Sequence, residues 1–244
     1  MDGSAAEARP RVARHVMAAE QIGRRIVSGE LIPGIALPNS TLLARELSVS
    51  RPAMREAIKL LAGKGLVESA PRRGTVVRPR AAWNRLDADV LSWQMSEAPN
   101  AALVRDLFEL RRIIEPEAAA FAALRATAGR LSEVERALHV MESTATTSAV
   151  SIRADVAFHQ SVLMASGNDF LASFAPAIET SLAITFGFQR RHCPGSSHFV
   201  PDHRAIFDAI RRGDPDAARV AVRALLTQAE ADAMQGLKLR ESAP

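Results

Sequence analysis

The chain has 244 residues, 48% of them hydrophobic, and one cysteine, Cys193; that is room for two small domains with their own cores, and it argues against a disordered chain, an internal disulfide or a thiolate zinc site. Residues 1–20 carry charges and lack an apolar run, and no 18-residue apolar stretch occurs anywhere, so neither a signal peptide nor a membrane span is expected and a cytoplasmic location is. The net charge of +4 is unevenly spread: residues 1–80 carry 14 Lys+Arg against 7 Asp+Glu, residues 81–244 carry 17 against 20, and a basic head on a slightly acidic body suits a head that meets a polyanion.

Residues 1–10 are small and polar and end in Pro10, as a leader would. From Arg11 to Ser28, Val12, Val16, Ile22 and Ile26 recur at helical spacing, and Gly29 can stop that helix. Pro33-Gly34 and Pro38 mark a turn. Asn39 or Ser40 can cap a second short helix to Leu47, and Ser50 a third, with Pro52 in its first turn and Met54, Ala57, Ile58 and Leu61 on its inner face. Two short β-prone runs, 66–69 and 75–77, flank Pro71-Arg72-Arg73-Gly74 and predict a hairpin. Three short helices followed by a basic-tipped hairpin predict a winged helix-turn-helix over residues 11–80. Residues 81–100, punctuated by Pro79 and Pro99, are expected to be a linker, with Trp83 and Trp93 packing a domain interface. From 101 to 238 the pattern is helical, with helices predicted near 101–127, 130–144, 149–166, 169–190, 199–212 and 215–236 and breaks at Gly129, 144–148, Gly167-Asn168, Cys193-Pro194-Gly195 and Gly213-Asp214. The expected fold class is therefore mostly α: a winged helix-turn-helix and an all-helical bundle.

A helix lies in the major groove of B-DNA with its N-terminal residues against base edges. The third predicted helix opens Ser50-Arg51-Pro52-Ala53-Met54-Arg55, which sets Arg51 and Arg55 on one face. A guanidinium can grip a guanine edge or a phosphate with two hydrogen bonds. Ser50 and the backbone N–H groups beside it suit a phosphate. Arg45 on the second helix and Arg72, Arg73 and Gly74 at the hairpin tip complete a basic surface. The competing reading is ordinary surface ion pairing, Arg51 with Glu46 or Arg55 with Glu56, which would contribute little energetically.

The ordered positions Ile26 to Gly34, Leu37-Pro38, Leu43 to Leu47, Val49-Ser50-Arg51, Arg55-Glu56-Ala57, Leu60, Gly65-Leu66-Val67 and Arg73-Gly74 resemble the GntR-family winged helix across residues 12–78. One departure is Asn39-Ser40, where the family usually carries an acidic residue; either can still cap the helix. The resemblance implies a dimer that binds a palindromic operator through Arg45, Ser50, Arg51, Arg55 and Gly74, and a transcription regulator rather than an enzyme; Ala53, Arg72 and Arg73 are the further candidate DNA contacts.

In the helical part, Asp155 and His159 stand four apart on one predicted helix and could hold a metal ion through oxygen and imidazole nitrogen, or simply hydrogen-bond each other at the surface. His203 could add a third ligand, and Arg111 could grip a carboxylate bidentately. Leu110-Arg111 with Glu115-Pro116, Asp155 to His159, Gly167-Asn168, His203 to Ile206 with Ala209-Ile210, and Gly213-Asp214 resemble the FCD ligand-binding domain of the FadR-type branch of that family. The resemblance implies effector binding by Arg111, Asp155, His159 and His203 and a divalent metal such as zinc on Asp155, His159 and His203. The family's last histidine ligand is expected about 22 residues past His203, where Leu225 stands. Three ligands with an open position still suit zinc, and a metal-free site that hydrogen-bonds the ligand directly is the alternative. His198 is a minor further candidate; His15, His139, His192 and Cys193 are expected to be structural or surface residues.

The run Trp83-Asn84 through Leu86-Asp87, Asp89-Val90-Leu91 and Trp93 resembles family members that repress sugar-acid catabolism, galactonate-operon repressors among them. The expected function is a repressor released by a small carboxylate effector, a hexonate-like sugar acid such as galactonate. The alternatives are a different carboxylic acid or a metal-dependent hydrolase built on Asp155, His159 and His203.

Overall fold

The computed structural model describes residues 13–97, 100–145, 148–182 and 199–241. The chain divides into two units between residues 98 and 99. The leader, the 183–190 part of an expected helix, and His192, Cys193 and His198 lie outside the described residues.

The first unit runs α1 (Arg14–Ser28), α2 (Ser40–Glu46), α3 (Arg51–Gly63), β1 (Val67–Ala70), β2 (Gly74–Val77), a short 3-10 turn (Arg80–Ala82) and α4 (Ala88–Glu97). Ala18, Ile22 and Ile26 stand four apart, Ala19 lies three before Ile22, and together they form the buried stripe of α1. Val16, expected on that stripe, sits in the first turn and is 41% exposed. Gly29 ends the helix in the left-handed conformation. Asn39 Oδ1 accepts from Thr41 N at 2.8 Å and caps α2; Ser50 Oγ accepts from Ala53 N at 3.2 Å and caps α3. Met54, Ala57 and Leu61 of α3 are fully enclosed against α1, so the opposite face must look outward.

β1 and β2 pair antiparallel from Val67↔Val77 to Ala70↔Gly74. A third edge went unforeseen. Ala36 bridges Val76, and Leu37 N–H donates to the Thr75 carbonyl at 2.7 Å, so the α1–α2 connection flanks the wing.

The stretch 81–100 departs from the expected linker. Up to residue 97 it folds onto the first unit, and Trp83, Val90 and Trp93 join the core that holds Ile22 and Met54. The reason is the apolar area of the two indoles, which outweighs the polar residues between them. Trp83 Nε1–H donates to the Arg78 carbonyl at 2.9 Å. Trp93 lies against α1 at Gly23, where a Cβ would run into the ring, so no larger residue fits. Lys64, at the end of α3, donates to Asp87 Oδ1 and reaches Asp89 Oδ2, both at 2.7 Å. Arg24 on α1 donates to Glu97 Oε1 at 2.6 Å and to Ser96 Oγ at 2.9 Å.

The second unit is all helical: α5 (Ala101–Arg125), α6 (Ala128–Ser143), α7 (Ala149–Ala165), α8 (Asp169–Ala172), α9 over 175–182, α10 (Phe199–Arg211) and α11 (Pro215–Glu241). Asn100, Thr127, Ser148 and Asn168 cap α5, α6, α7 and α8 through their side-chain oxygens. α5 packs against α7 and α11, α6 against α7, and α10 against α11. The single helix expected from 169 breaks at Ser173-Phe174. Pro176 has no N–H to bond the Ala172 carbonyl and its ring would clash there, so α8 and α9 are separate. Ile114, Ala118, Leu163, Ile178 and Leu182 form one apolar cluster where α5, α7 and α9 meet.

Candidate functional site

Two constellations concentrate the chemistry, one in each unit. On the first, Arg45, Ser50, Arg51, Arg55, Arg72, Arg73 and Gly74 are all exposed and Ala53 is half-buried. The inward packing of Met54 and Ala57 turns Arg51 and Arg55 out. The Ser50 hydroxyl accepts the cap bond from Ala53 N and keeps its own proton to donate. Arg72 (φ 61) and Gly74 (φ 78) both take the left-handed conformation that closes the wing tip.

The partners of the neighbouring carboxylates decide between DNA contact and surface pairing. Glu46 accepts from Arg25 at 2.9 Å, not from Arg51. Glu56 accepts from Lys59 at 2.9 Å, not from Arg55. Among the described residues, Arg45, Arg51, Arg55 and Arg72 form no salt bridge, whereas Arg24, Arg25, Lys59, Lys64 and Arg78 all do. Arg73 differs from the other wing arginine: its Nη2 donates to the Gly34 carbonyl at 2.7 Å and ties the wing to the α1–α2 connection.

In the second unit, α7 and α10 bring Asp155, His159 and His203 together, all at 5% exposure or less. The alternative of an exposed Asp155–His159 pair is therefore excluded. His203 Nε2 lies 3.0 Å from Asp155 Oδ1 and 3.3 Å from His159 Nε2, and His159 Nε2 lies 3.2 Å from the same carboxylate oxygen. Ligand atoms at zinc distance on a tetrahedron stand about 3.3 Å apart, so this triangle has the size of one face of a coordination shell. Among the described residues these three are the set able to hold an ion together. Leu225 is a buried residue of α11 and offers no donor. His15 is half-buried and His139 exposed, and neither joins the set.

Arg111, expected to take a carboxylate, is 1% exposed. Its Nε–H donates to Glu115 Oε1 at 2.5 Å, and Nη1–H reaches Ser181 Oγ on α9 at 3.4 Å. Its Nη2 is buried without a partner among the described residues, which is unusual for a guanidinium and leaves donors for an incoming acceptor. The Phe108 ring lies 5.2 Å from the guanidinium. Glu115 and Ser181 were not anticipated as site residues. The Arg111-Glu115 spacing is the same i,i+4 signal that marks Asp155-His159; Ser181 comes from a distant helix and leaves no local trace in the sequence.

Burial disfavours the charge on each of these groups, yet their mutual attraction prevails. Glu115 is lowered to about 2 because the pull of Arg111 and then of His159 outweighs its desolvation. Asp155 is held well below the usual carboxylate range by His203 and His159, again against burial. For His159, burial is overcome by Glu115 and Asp155, which raise it to about 9. A cavity of about 10 Å³, bounded by Glu115, His159, Phe158 and Val222, adjoins the cluster.

A model of the bacterial regulatory proteins of the gntR family matches residues 15–77, and a model of the FCD domain matches residues 106–228. The galactonate operon transcriptional repressor of Escherichia coli (strain K12) is 35% identical over 204 residues, which cover 82% of this chain and 88% of that repressor. The HTH-type transcriptional regulator LutR of Bacillus subtilis (strain 168) is 30% identical over 222 residues, 86% of this chain and 96% of LutR. Among solved structures, that of Lar from Listeria monocytogenes aligns with a TM-score of 0.58 at 19% identity, over 93% of this chain and 99% of Lar, a likeness of fold.

Proposed function

Since the chain belongs to the gntR family of bacterial regulatory proteins and carries an FCD domain, we propose that it acts in the cytoplasm as a homodimeric repressor of a sugar-acid catabolic operon. It binds a palindromic operator and leaves it when a hexonate-like acid such as galactonate occupies the C-terminal cage. The observation that carries the DNA half of this reading is the absence of salt bridges at Arg45, Arg51, Arg55 and Arg72 among the described residues, while the carboxylates beside them are engaged elsewhere. Arg51 and Arg55 enter the major groove, Ser50 and Arg45 grip phosphates, and Arg72 with the Gly74 tip reaches the adjacent backbone. Arg73 serves first to brace the wing.

The Nη2 of Arg111, without a partner among the described residues, supports a carboxylate effector, because a buried guanidinium without its full set of acceptors gains most from an anion. Asp155 Oδ1, His159 Nε2 and His203 Nε2 are the atoms to hold a divalent ion such as zinc, and their spacing fits one. Such an ion would supply Lewis-acid attraction for the effector's oxygens, and Leu225 would add no further protein ligand to it. The family resemblance to the galactonate repressor favours a six-carbon acid. Exposed Ile113 on α5 and Val220 on α11 offer apolar surface to a second copy. The hydrolase alternative falls with the family assignment, and Glu115, the carboxylate beside the trio, is engaged by Arg111 and His159 instead of standing ready as a general base.

Thermal-shift screening of the full chain against galactonate, gluconate and lactate, with and without a chelator, tests the effector. A rise in midpoint with a hexonate that the chelator reduces is expected. No shift with any of the three acids would refute the sugar-acid reading, and a response to lactate alone would redirect it to a small hydroxy acid.

A further inference from the structure

Glu115 sits between the two arms of the cage. Its Oε1 accepts from Arg111 Nε–H at 2.5 Å, and its Oε2 lies 2.6 Å from His159 Nδ1. The carboxylate is 4% exposed, so bulk solvent does not reach either contact. The consequence for His159 is specific. Glu115 Oε2 has no other partner among the described residues, so the 2.6 Å contact favours a proton on Nδ1; when Nε2 gives up its proton to a metal ion, its lone pair would be turned toward Asp155 and His203.

We propose that Glu115 is a positioning residue that fixes the Nε2-coordinating tautomer and orientation of His159 while holding Arg111, and thereby links the metal ligands to the effector's carboxylate clamp. The inference rests on the metal reading of Asp155, His159 and His203 and adds to it a residue that coordinates nothing. The rationale is geometric. Arg111 and Glu115 share one face of α5 four residues apart, and Glu115 faces α7 at His159, so a shift of Arg111 toward an effector pulls on the carboxylate that orients a ligand. Ser181 on α9 reaches Arg111 Nη1 and limits that shift from the other side.

The test measures Zn²⁺ affinity of the full chain by competition with a chromogenic chelator. Three proteins are compared: the wild type, Glu115→Gln and His203→Ala. Glu115→Gln keeps the shape but weakens acceptance from His159, and a 10- to 100-fold loss of affinity is expected. Affinity within twofold of wild type in that variant overturns the inference. His203→Ala is the control for the site: if the wild type binds no zinc, or binds it equally after this change, the metal reading itself fails, a result separable from the failure of Glu115 alone. Because Glu115→Gln leaves a buried Arg111 under-paired and the variant can unfold, a second readout uses the wild type only. In the zinc-loaded protein, ¹⁵N-resolved NMR of His159 should show a protonated, hydrogen-bonded Nδ1 and a metal-bound Nε2. Coordination through Nδ1, or an Nδ1 proton that exchanges freely with water, contradicts the proposal.

Discussion

The two units handle charge in opposite ways. In the first, Arg51 and Arg55 on α3 and Arg72 at the wing tip point outward with no salt bridge among the described residues, and the acidic residues near them are held by other bases. In the second, Arg111, Glu115, Asp155, His159 and His203 turn inward and bond to one another. On the proposed function, the difference follows from the ligand. A polyanion arrives at a surface already surrounded by counterions, so unpaired surface cations gain by releasing them. A small carboxylate must exchange its hydration for fixed groups, which requires donors oriented beforehand in a dry site.

The comparison predicts graded effects. The largest concerns the boundary between the units. Both tryptophans of the chain, Trp83 and Trp93, belong to the first unit's core, so tryptophan emission reports that unit's unfolding. Trp93→Ala removes the ring that covers Gly23 and should lower its stability by about 3–5 kcal/mol, read by urea titration of the remaining Trp83 emission. An unchanged midpoint would mean that α4 is the linker the sequence suggested.

The inward-facing charges predict a pH effect of about 3 kcal/mol by linkage. His159 has its folded pKa raised from 6.5 to about 9 by Glu115 and Asp155 against burial. In the metal-free chain that stabilisation is fully present below pH 6.5 and is lost as the pH rises through 9. Glu115, lowered to about 2, stays ionised throughout this window and adds no slope. Urea midpoints by circular dichroism in chelator should fall between pH 6 and pH 9.5. A flat profile would show His159 neutral in the folded chain.

Outward-facing charges predict a smaller, local effect. Arg51→Ala should weaken operator binding by about 1–3 kcal/mol with an unchanged melting temperature. Lys59→Ala, which removes an exposed base already paired with Glu56, should leave stability and operator affinity nearly unchanged. Equal losses in gel shifts of the two variants would mean that net charge, not the placement of unpaired arginine, governs binding.

Much of this was legible in the chain itself, because the signals were local. Ser50 with Pro52, and Met54, Ala57 and Leu61 at helical spacing, determine which way Arg51 and Arg55 face. Asp155 and His159 at i,i+4 announce a shared face, and the resemblance pointed to His203. The misses were tertiary with one exception, the break at Ser173-Phe174, which Pro176 announces locally. Trp83 and Trp93 lie in a polar run whose proline punctuation suggests a linker, and the Gly23 notch that receives Trp93 is 70 residues away. The break at Ser173-Phe174 depends on Pro176 acting on a carbonyl four residues back. Glu115 had the right spacing to Arg111, but its second partner, His159, comes from another helix and becomes visible only once α5 and α7 are packed.

The central claim is that the outward arginines hold operator DNA and that an acid in the cage releases it. The most direct measurement is fluorescence anisotropy of the full chain on DNA from its own promoter, across a salt series, with and without galactonate. Expected are sequence-specific binding that weakens steeply with salt and a rise in Kd of at least about tenfold when the acid is added. Binding that does not distinguish promoter from random DNA, or a Kd indifferent to every hexonate tried, would contradict it.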